Sequence, residues 1–343
     1  MKLAVVGTFD RDGGRSSYIG ERILNYLGWE GINGGHIDNL KSIDFEKIKS
    51  LLWMPNIPNE EDKIITEIKK KNPKLILVSS KNCQGRDFSY NDMVGRLLKH
   101  HSAIGVMIDK VRGEYVFDII DALGNLYYRG SNIESFTKNL HMRVHFLERT
   151  TRVSSNWVGE KNSFEIDPEF IQIVQSYGEK FSEFVNAINP NRFLGNAATR
   201  CSFGFPAIRK EKSIFVTRRN VDKTQITQED FVEVRDHILG VSYFGDNKPS
   251  VDAPIQLKLF ELFKEVNYII HGHVYTRKGF STNSKFPCGC LQEVDEIYKN
   301  ARIRKERSNF QVNLLGHGCL IMAKDLDYFS EVELVPRPFP EGF

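Results

Sequence analysis

The chain has 343 residues, 41% hydrophobic and 27% charged, a globular balance that excludes an intrinsically disordered protein and gives length for two domains. Its formal net charge is only +3, and the one basic cluster, Arg302, Arg304, Lys305 and Arg307, carries no interleaved aromatic residues, so neither nucleic acid nor an anionic membrane is expected as a partner. No apolar run approaches the ~20 residues that span a bilayer, and five scattered cysteines with no leader-like segment before Leu3 point to a reducing cytoplasm.

In chain order, Lys2–Thr8 is a short apolar run ending near Gly7, followed by the turn Asp12–Arg15 and a helical pattern carrying Ile19, Ile23, Leu24 and Leu27. This is a strand, loop and helix in the order of an α/β unit. The loop lacks the glycine spacings of dinucleotide and P-loop sites, so a phosphate there would rest on backbone N–H groups and on Ser16 or Ser17. Further apolar runs at Ser50–Ile57, Leu75–Ser79 and Ile104–Ile108 alternate with helical patterns at Glu60–Lys71 and Asn91–His100. The expected product is an open, doubly wound, Rossmann-like parallel sheet with helices on both faces. A hairpin through Asp121–Asn125 and a helix from Ile133 to about Leu147 close this first domain, residues 1–150. Ligands of such sheets bind at the carboxyl ends of strands, which points to the loops Thr8–Ser17 and Ser79–Arg86.

The polar stretch 151–166 reads as a linker, and Asp167-Pro168 starts a helix to about Ala187 that opens the second domain, residues 167–343. Within it, Val266–Tyr275 has the β-branched and aromatic content of a strand. His271 and His273 stand two apart, so both imidazoles face one side, with Gly272 opposite where another backbone could pack closely. A third imidazole, His317, lies between Gly316 and Gly318 inside a second apolar run, Val312–Met322, and the flanking glycines suit a tight bend. Upstream, Asp252 precedes a helical pattern that runs through Phe263, placing its carboxylate in the first turn. Three imidazoles, with or without one carboxylate, leave a position open on Zn²⁺ or a similar divalent ion, the arrangement of a catalytic centre.

These residues also resemble a known family. Gly195–Arg200 is similar to the Gly-Asn-x-Ser-x-Arg segment of the class II aldolase/adducin family, and Ile214–Thr217 through Ile226–Asp230 is similar to its I-T-P-S-G and L-T-P-E-D stretch. The segments Lys248–Asp252, His271–His273, Pro287–Gly289 and Leu314–Gly318 follow in the family order and spacing. The resemblance covers the second domain only. It implies an αβα domain with Zn²⁺ held by His271, His273 and His317, and homo-oligomeric assembly. It also implies a lyase or epimerase of the fuculose-phosphate aldolase and ribulose-phosphate 4-epimerase kind, acting on a sugar or sugar phosphate through a metal-stabilised enediolate. Asp252 takes the position of the family's acid/base carboxylate, either as a metal ligand or as the proton-transfer group, with Tyr275 or Tyr243 as a further acid/base. Asn196, Thr217, Arg218, Arg219 and Ser250 take the substrate and phosphate-binding positions. Dehydratases and decarboxylases share the fold, as does the non-catalytic adducin branch, a binding or scaffold alternative that lacks the metal histidines.

The chain departs from the family in two places. Thr217–Asn220 replaces small hydroxyl and glycine residues with Arg218 and Arg219, whose guanidinium forks fit a phosphate or carboxylate. After His317 the tail carries Pro336, Pro338 and Pro340 instead of the helices that complete a family site. The missing wall is therefore expected either from the N-terminal domain or not at all. The C-x-C of Cys288 and Cys290 reads as a structural loop.

Overall fold

Short runs rich in Val, Ile and Leu, too brief for stable helices, become strands in the first half of the chain, while the longer amphipathic runs between them become helices. The structure, a computed structural model, describes residues 1–6, 17–33, 43–55, 62–83, 88–150, 154–161, 163–185, 195–200, 213–238, 240–300, 303 and 307–338. Two units emerge, residues 1–148 with 339–343, and residues 149–338.

In the first unit the strands are β1 (Lys2–Val6), β2 (Glu30–Asn33), β3 (Ser50–Trp53), β4 (Ile76–Asn82), β5 (Ile104–Val111), β6 (Glu114–Asp121) and β7 (Leu126–Gly130). They form one sheet in the order β2-β1-β3-β4-β5-β6-β7. The first five run parallel and the last two antiparallel, so the doubly wound sheet carries a hairpin on one edge. The helices are α1 (Tyr18–Leu27), α2 (Asp62–Lys71), α3 (Tyr90–His100) and α4 (Ile133–Thr150). Alternate residues of each strand face opposite ways. Ala4, Leu52 and Val78 pack with Ile23 of α1 and Phe136 of α4, whereas Leu3, Leu51 and Leu77 pack with Ile65 of α2. On that second face Gly105 receives the side chain of Met93 from α3. The strand order 2-1-3-4-5 places a topological switch point between β1 and β3. Of the two loops expected to receive a ligand, Thr8–Ser17 and Ser79–Arg86, positions 8–16 and 84–86 lie outside the described residues, as do Arg302, Arg304 and Lys305.

The second unit is built on a nine-stranded sheet. Its strands are β8 (Ser154–Gly159), β9 (Asn196–Thr199), β10 (Ser213–Thr217), β11 (Phe231–His237), β12 (Gly240–Phe244), β13 (Tyr268–Gly272), β15 (Phe280–Ser281), β16 (Phe310–Leu314) and β17 (Gly318–Ala323). A separate pair joins β14 (Tyr275–Thr276) to β18 (Leu334–Val335). The sheet order is β15-β16-β17-β13-β9-β10-β11-β12-β8. Residues 154–159, inside the stretch read as linker, thus form a strand that pairs in parallel with β12. Its pattern of Ser, Asn and a single Trp has no apolar alternation that could reveal a half-exposed edge strand.

The helices of this unit are α5 (Pro168–Val185), α6 (Ala253–Leu262) and α7 (Gln292–Lys299). Period-two alternation again divides the core. Ile269 of β13 and Leu320 and Met322 of β17 pack with Ile255 and Leu259 of α6 and with Ile297 of α7. Ile270, Cys319 and Ile321 pack on the other face with Phe170, Tyr177 and Phe181 of α5. The result is the expected αβα sandwich. Among the described residues no helix is long and apolar enough to cross a membrane.

Candidate metal centre

His271 closes β13, and its register neighbours are Asn196 at the start of β9 and Leu320 in β17. The strand ends at Gly272, so His273 stands just beyond it, yet the two rings remain side by side with centroids 5.2 Å apart. A close backbone is expected at Gly272 from the sequence, and the backbones at Gly195 and Gly318 do approach it. The place a Cβ would take at Gly272, however, is filled by the ring of Phe181, so the residue also makes room for an aromatic side chain of α5. The run containing His317 is a hairpin of β16 and β17, with the imidazole in the connecting turn, where Gly316 adopts φ 73°. This turn brings the third ring to within 4.7 Å of His271 and 5.1 Å of His273, centroid to centroid.

The three imidazoles are buried, and their ligand atoms lie within 4.8 Å of one another. Hydrogen bonds set the direction of two rings. His271 donates from Nδ1 to the carbonyl of Cys319 at 2.8 Å, which makes Nε2 the lone-pair atom. That Nε2 is buried and has no hydrogen-bond partner, an orphaned acceptor of the kind that a metal ion satisfies. His317 turns Nδ1 toward Glu293 at 3.4 Å and Nε2 toward the Sγ of Cys288 at 3.1 Å. A carboxylate behind an imidazole fixes ring orientation and raises ligand basicity in metal sites. The donor set therefore fits a divalent ion.

Electrostatics supports the same arrangement. Burial, and then the charge of His317, pushes His271 well below the ordinary imidazole range, and the same two causes act on His273. Both are held neutral, the form that ligates. Burial also opposes charge on His317, but Cys288 and Glu293 beside it outweigh that cost and raise it well above the ordinary value. In turn, burial pushes the carboxyl of Glu293 up, against the lowering influence of His317.

Asp252 is the N-cap residue of α6, and its side chain makes no capping bond to the helix. Its Oδ1 accepts the Gly289 N–H at 2.9 Å, its Oδ2 accepts Asn196 Nδ2 at 2.8 Å, and Oδ2 stands 3.9 Å from His271 Nε2. Asn196 in turn accepts from Gln256 of α6, so an amide chain holds the carboxylate against the imidazoles.

The other residues singled out in the sequence take varied places. Thr217 is fully buried and its hydroxyl accepts the Ala197 N–H, while Ser250 accepts the Asp252 N–H at 3.3 Å. Arg218 pairs through Nε with Asp230 at 2.6 Å. Arg219 spends Nε on the Pro249 carbonyl and has no partner for its Nη groups among the described residues; burial pushes it down from the ordinary guanidinium value, against the raising effect of the nearby Asp252 carboxylate. Tyr275 accepts the Gly316 N–H at 2.9 Å and so steadies the His317 turn, and Tyr243 is buried in the core.

Several residues of the centre went unseen in the sequence. Glu293 reads as a surface charge of an amphipathic helix but is 1% exposed. The proline-rich tail belongs to the second unit as far as Pro338. It runs as β18 along β14 and delivers the buried Arg337, whose Nη1 donates to the Gly316 carbonyl at 2.7 Å. Lys223, 5% exposed, is lowered by burial to about 8 and adds positive charge that depresses His271 and His273.

Residues 191–327 match the family model described as the class II aldolase and adducin N-terminal domain. This segment is a class II aldolase/adducin domain. The domain's His271, His273 and His317, together with Asn196 and Asp252, all fall inside the matched range. No curated protein matches the chain. A solved structure, the DNA/pantothenate metabolism flavoprotein from Streptococcus pneumoniae, is similar at 14% identity over 42% of this chain and 98% of that one, with a TM-score of 0.32, a likeness too slight to bear on function.

Proposed function

We propose that the second unit is a metal-dependent lyase or epimerase that acts on a sugar or sugar phosphate, with Zn²⁺ or a comparable ion held by His271, His273 and His317. The observation that most supports this is the convergence of three buried imidazoles on one point, with the lone pair of His271 Nε2 left without a hydrogen-bond partner. Such an ion supplies Lewis-acid polarisation of adjacent hydroxyl and carbonyl oxygens. The remaining work falls to the chain. Asp252, held by two N–H donors beside His271, is placed to take and return a proton at the neighbouring carbon. Thr217 and Ser250 hold the loops around it, and Asn196 orients it. Retention of the three imidazoles and of Asp252 favours an enzyme over an adducin-like scaffold.

Purified full-length protein prepared without chelator should contain about one divalent ion per chain and turn over a member of a panel of ketose and aldose phosphates. Protein that holds no metal, and gains none on reconstitution, would overturn the reading. Arg219 is assigned to the anionic group of the substrate, because its Nη pair faces no partner among the described residues and lies near Asp252. Arg219→Ala should raise KM at least about tenfold for a phosphorylated substrate, about 1.4 kcal/mol, with metal content unchanged. Equal affinity of wild type and variant for inorganic phosphate or phosphoglycolate would show the arginine to be an uninvolved surface residue.

A further inference from the structure

The turn Pro287–Cys290 is closed by the Cys290 N–H on the Pro287 carbonyl at 3.2 Å, with Gly289 in its third position at φ 78°. A residue with a side chain is strained there, which accounts for glycine after Cys288. The turn is tied to the metal centre, because the Gly289 N–H donates to Asp252 Oδ1 at 2.9 Å. Its corner residue, Cys288, is thereby presented to the imidazoles, with Sγ 3.1 Å from Nε2 of His317.

That nitrogen is the one His317 has left for a metal, since its Nδ1 faces Glu293. Two ligands of one zinc ion, with Zn–N about 2.0–2.1 Å and Zn–S about 2.3 Å, stand roughly 3.1–3.6 Å apart at angles from square to tetrahedral. The observed separation falls at the close end of that interval. The thiol stands against one of the three imidazole ligand atoms, which are mutually within 4.8 Å; Cys288 itself lies outside that set and joins it only if its side chain rotates toward the other two rings. Cys83, Cys290 and Cys319 are buried, while Cys288 is only partly covered.

We propose that Cys288 is a fourth protein ligand of the ion at His271, His273 and His317 when substrate is absent, making the site selective for thiophilic metals. The proposal rests on the metal reading given above. On binding, the sulfur–hydrogen bond is exchanged for a sulfur–metal bond and the proton passes to solvent. A thiolate among imidazoles favours Zn²⁺, Co²⁺ and Cd²⁺ over Mg²⁺ and Mn²⁺, which prefer oxygen donors. Three imidazoles and a thiolate also make four protein ligands, so substrate enters by displacing the sulfur.

Cobalt decides the matter spectroscopically. Full-length protein loaded with Co²⁺ should show, besides the visible bands of the bound ion, a near-ultraviolet thiolate-to-cobalt charge-transfer band. The band should disappear in Cys288→Ser and persist in Cys290→Ser, and Cys288→Ser should bind Zn²⁺ at least about tenfold more weakly. A second readout needs no variant: bound Zn²⁺ should slow alkylation of Cys288 by iodoacetamide at least about tenfold, measured by mass spectrometry of the labelled peptide. Visible cobalt bands without charge transfer, or alkylation at an equal rate with and without Zn²⁺, would overturn the thiolate ligand and leave the three-histidine centre standing. Failure to take up Co²⁺ or Zn²⁺ at all would overturn both.

Discussion

His271→Ala and His273→Ala are each expected to lower affinity for a divalent ion by at least about 10²-fold, leaving purified protein with little or no bound metal. Loss of a group that merely orients a ligand already costs about 10- to 100-fold, and here a donor atom is removed outright. The fold should survive, because the two imidazoles lie at the end of β13 and just beyond it, while the core residues Ile269 and Ile270 are untouched. Metal analysis with circular dichroism checks both halves of the statement, and a variant that keeps a full complement of metal would remove that histidine from the site. The same centre predicts a pH dependence. His317 is raised well above the ordinary imidazole value by Cys288 and Glu293, against the opposing effect of burial. Its surroundings thus favour the protonated ring when no metal is present. Metal must displace that proton, so affinity should rise with pH through the neutral range and fall in acid, with proton release measurable by calorimetry in buffers of different ionisation enthalpy.

Asp252→Asn is expected to keep the metal and lose about 10²- to 10⁴-fold in turnover, the scale of a positioned proton-transfer group. The surroundings accept the amide. The variant side chain would still receive the Gly289 N–H on its oxygen, and its new N–H₂ would meet Asn196 if that amide rotated by half a turn. Asn196 would then turn its N–H₂ toward Gln256, whose amide must rotate in the same way to accept on Oε1, an oxygen that is buried without a partner in the present arrangement. The substitution therefore isolates the carboxylate's charge and basicity from its structural bonds. Metal titration beside turnover separates the two roles open to Asp252. Lost metal would make it a ligand, lost turnover with full metal a proton-transfer group, and full retention of both would remove it from the mechanism.

Local rules made much of this protein legible from its sequence. Each alternation of short apolar runs with amphipathic segments became a strand or a helix, because strands buried on both faces and helices with one apolar stripe differ in length and period. The metal histidines were legible for a similar reason. The two-residue spacing of His271 and His273 is a property of extended backbone, and the glycines flanking His317 mark a bend wherever they occur.

What only the tertiary structure decided are the partners of those groups. Glu293 lies 24 residues before His317, and Arg337 reaches Gly316 from a tail whose prolines reveal only that it is not helical. Ser154–Gly159 has a linker's composition and becomes a strand because the exposed edge of β12 offers it a backbone ladder. Cys288 reads as part of a loop until the Asp252 carboxylate takes the Gly289 N–H and turns the thiol toward His317. Spacing along the chain reports which residues share one strand face or one turn. Which buried carboxylate, thiol or guanidinium stands behind an imidazole is decided by packing between elements far apart in sequence, and no local period records it.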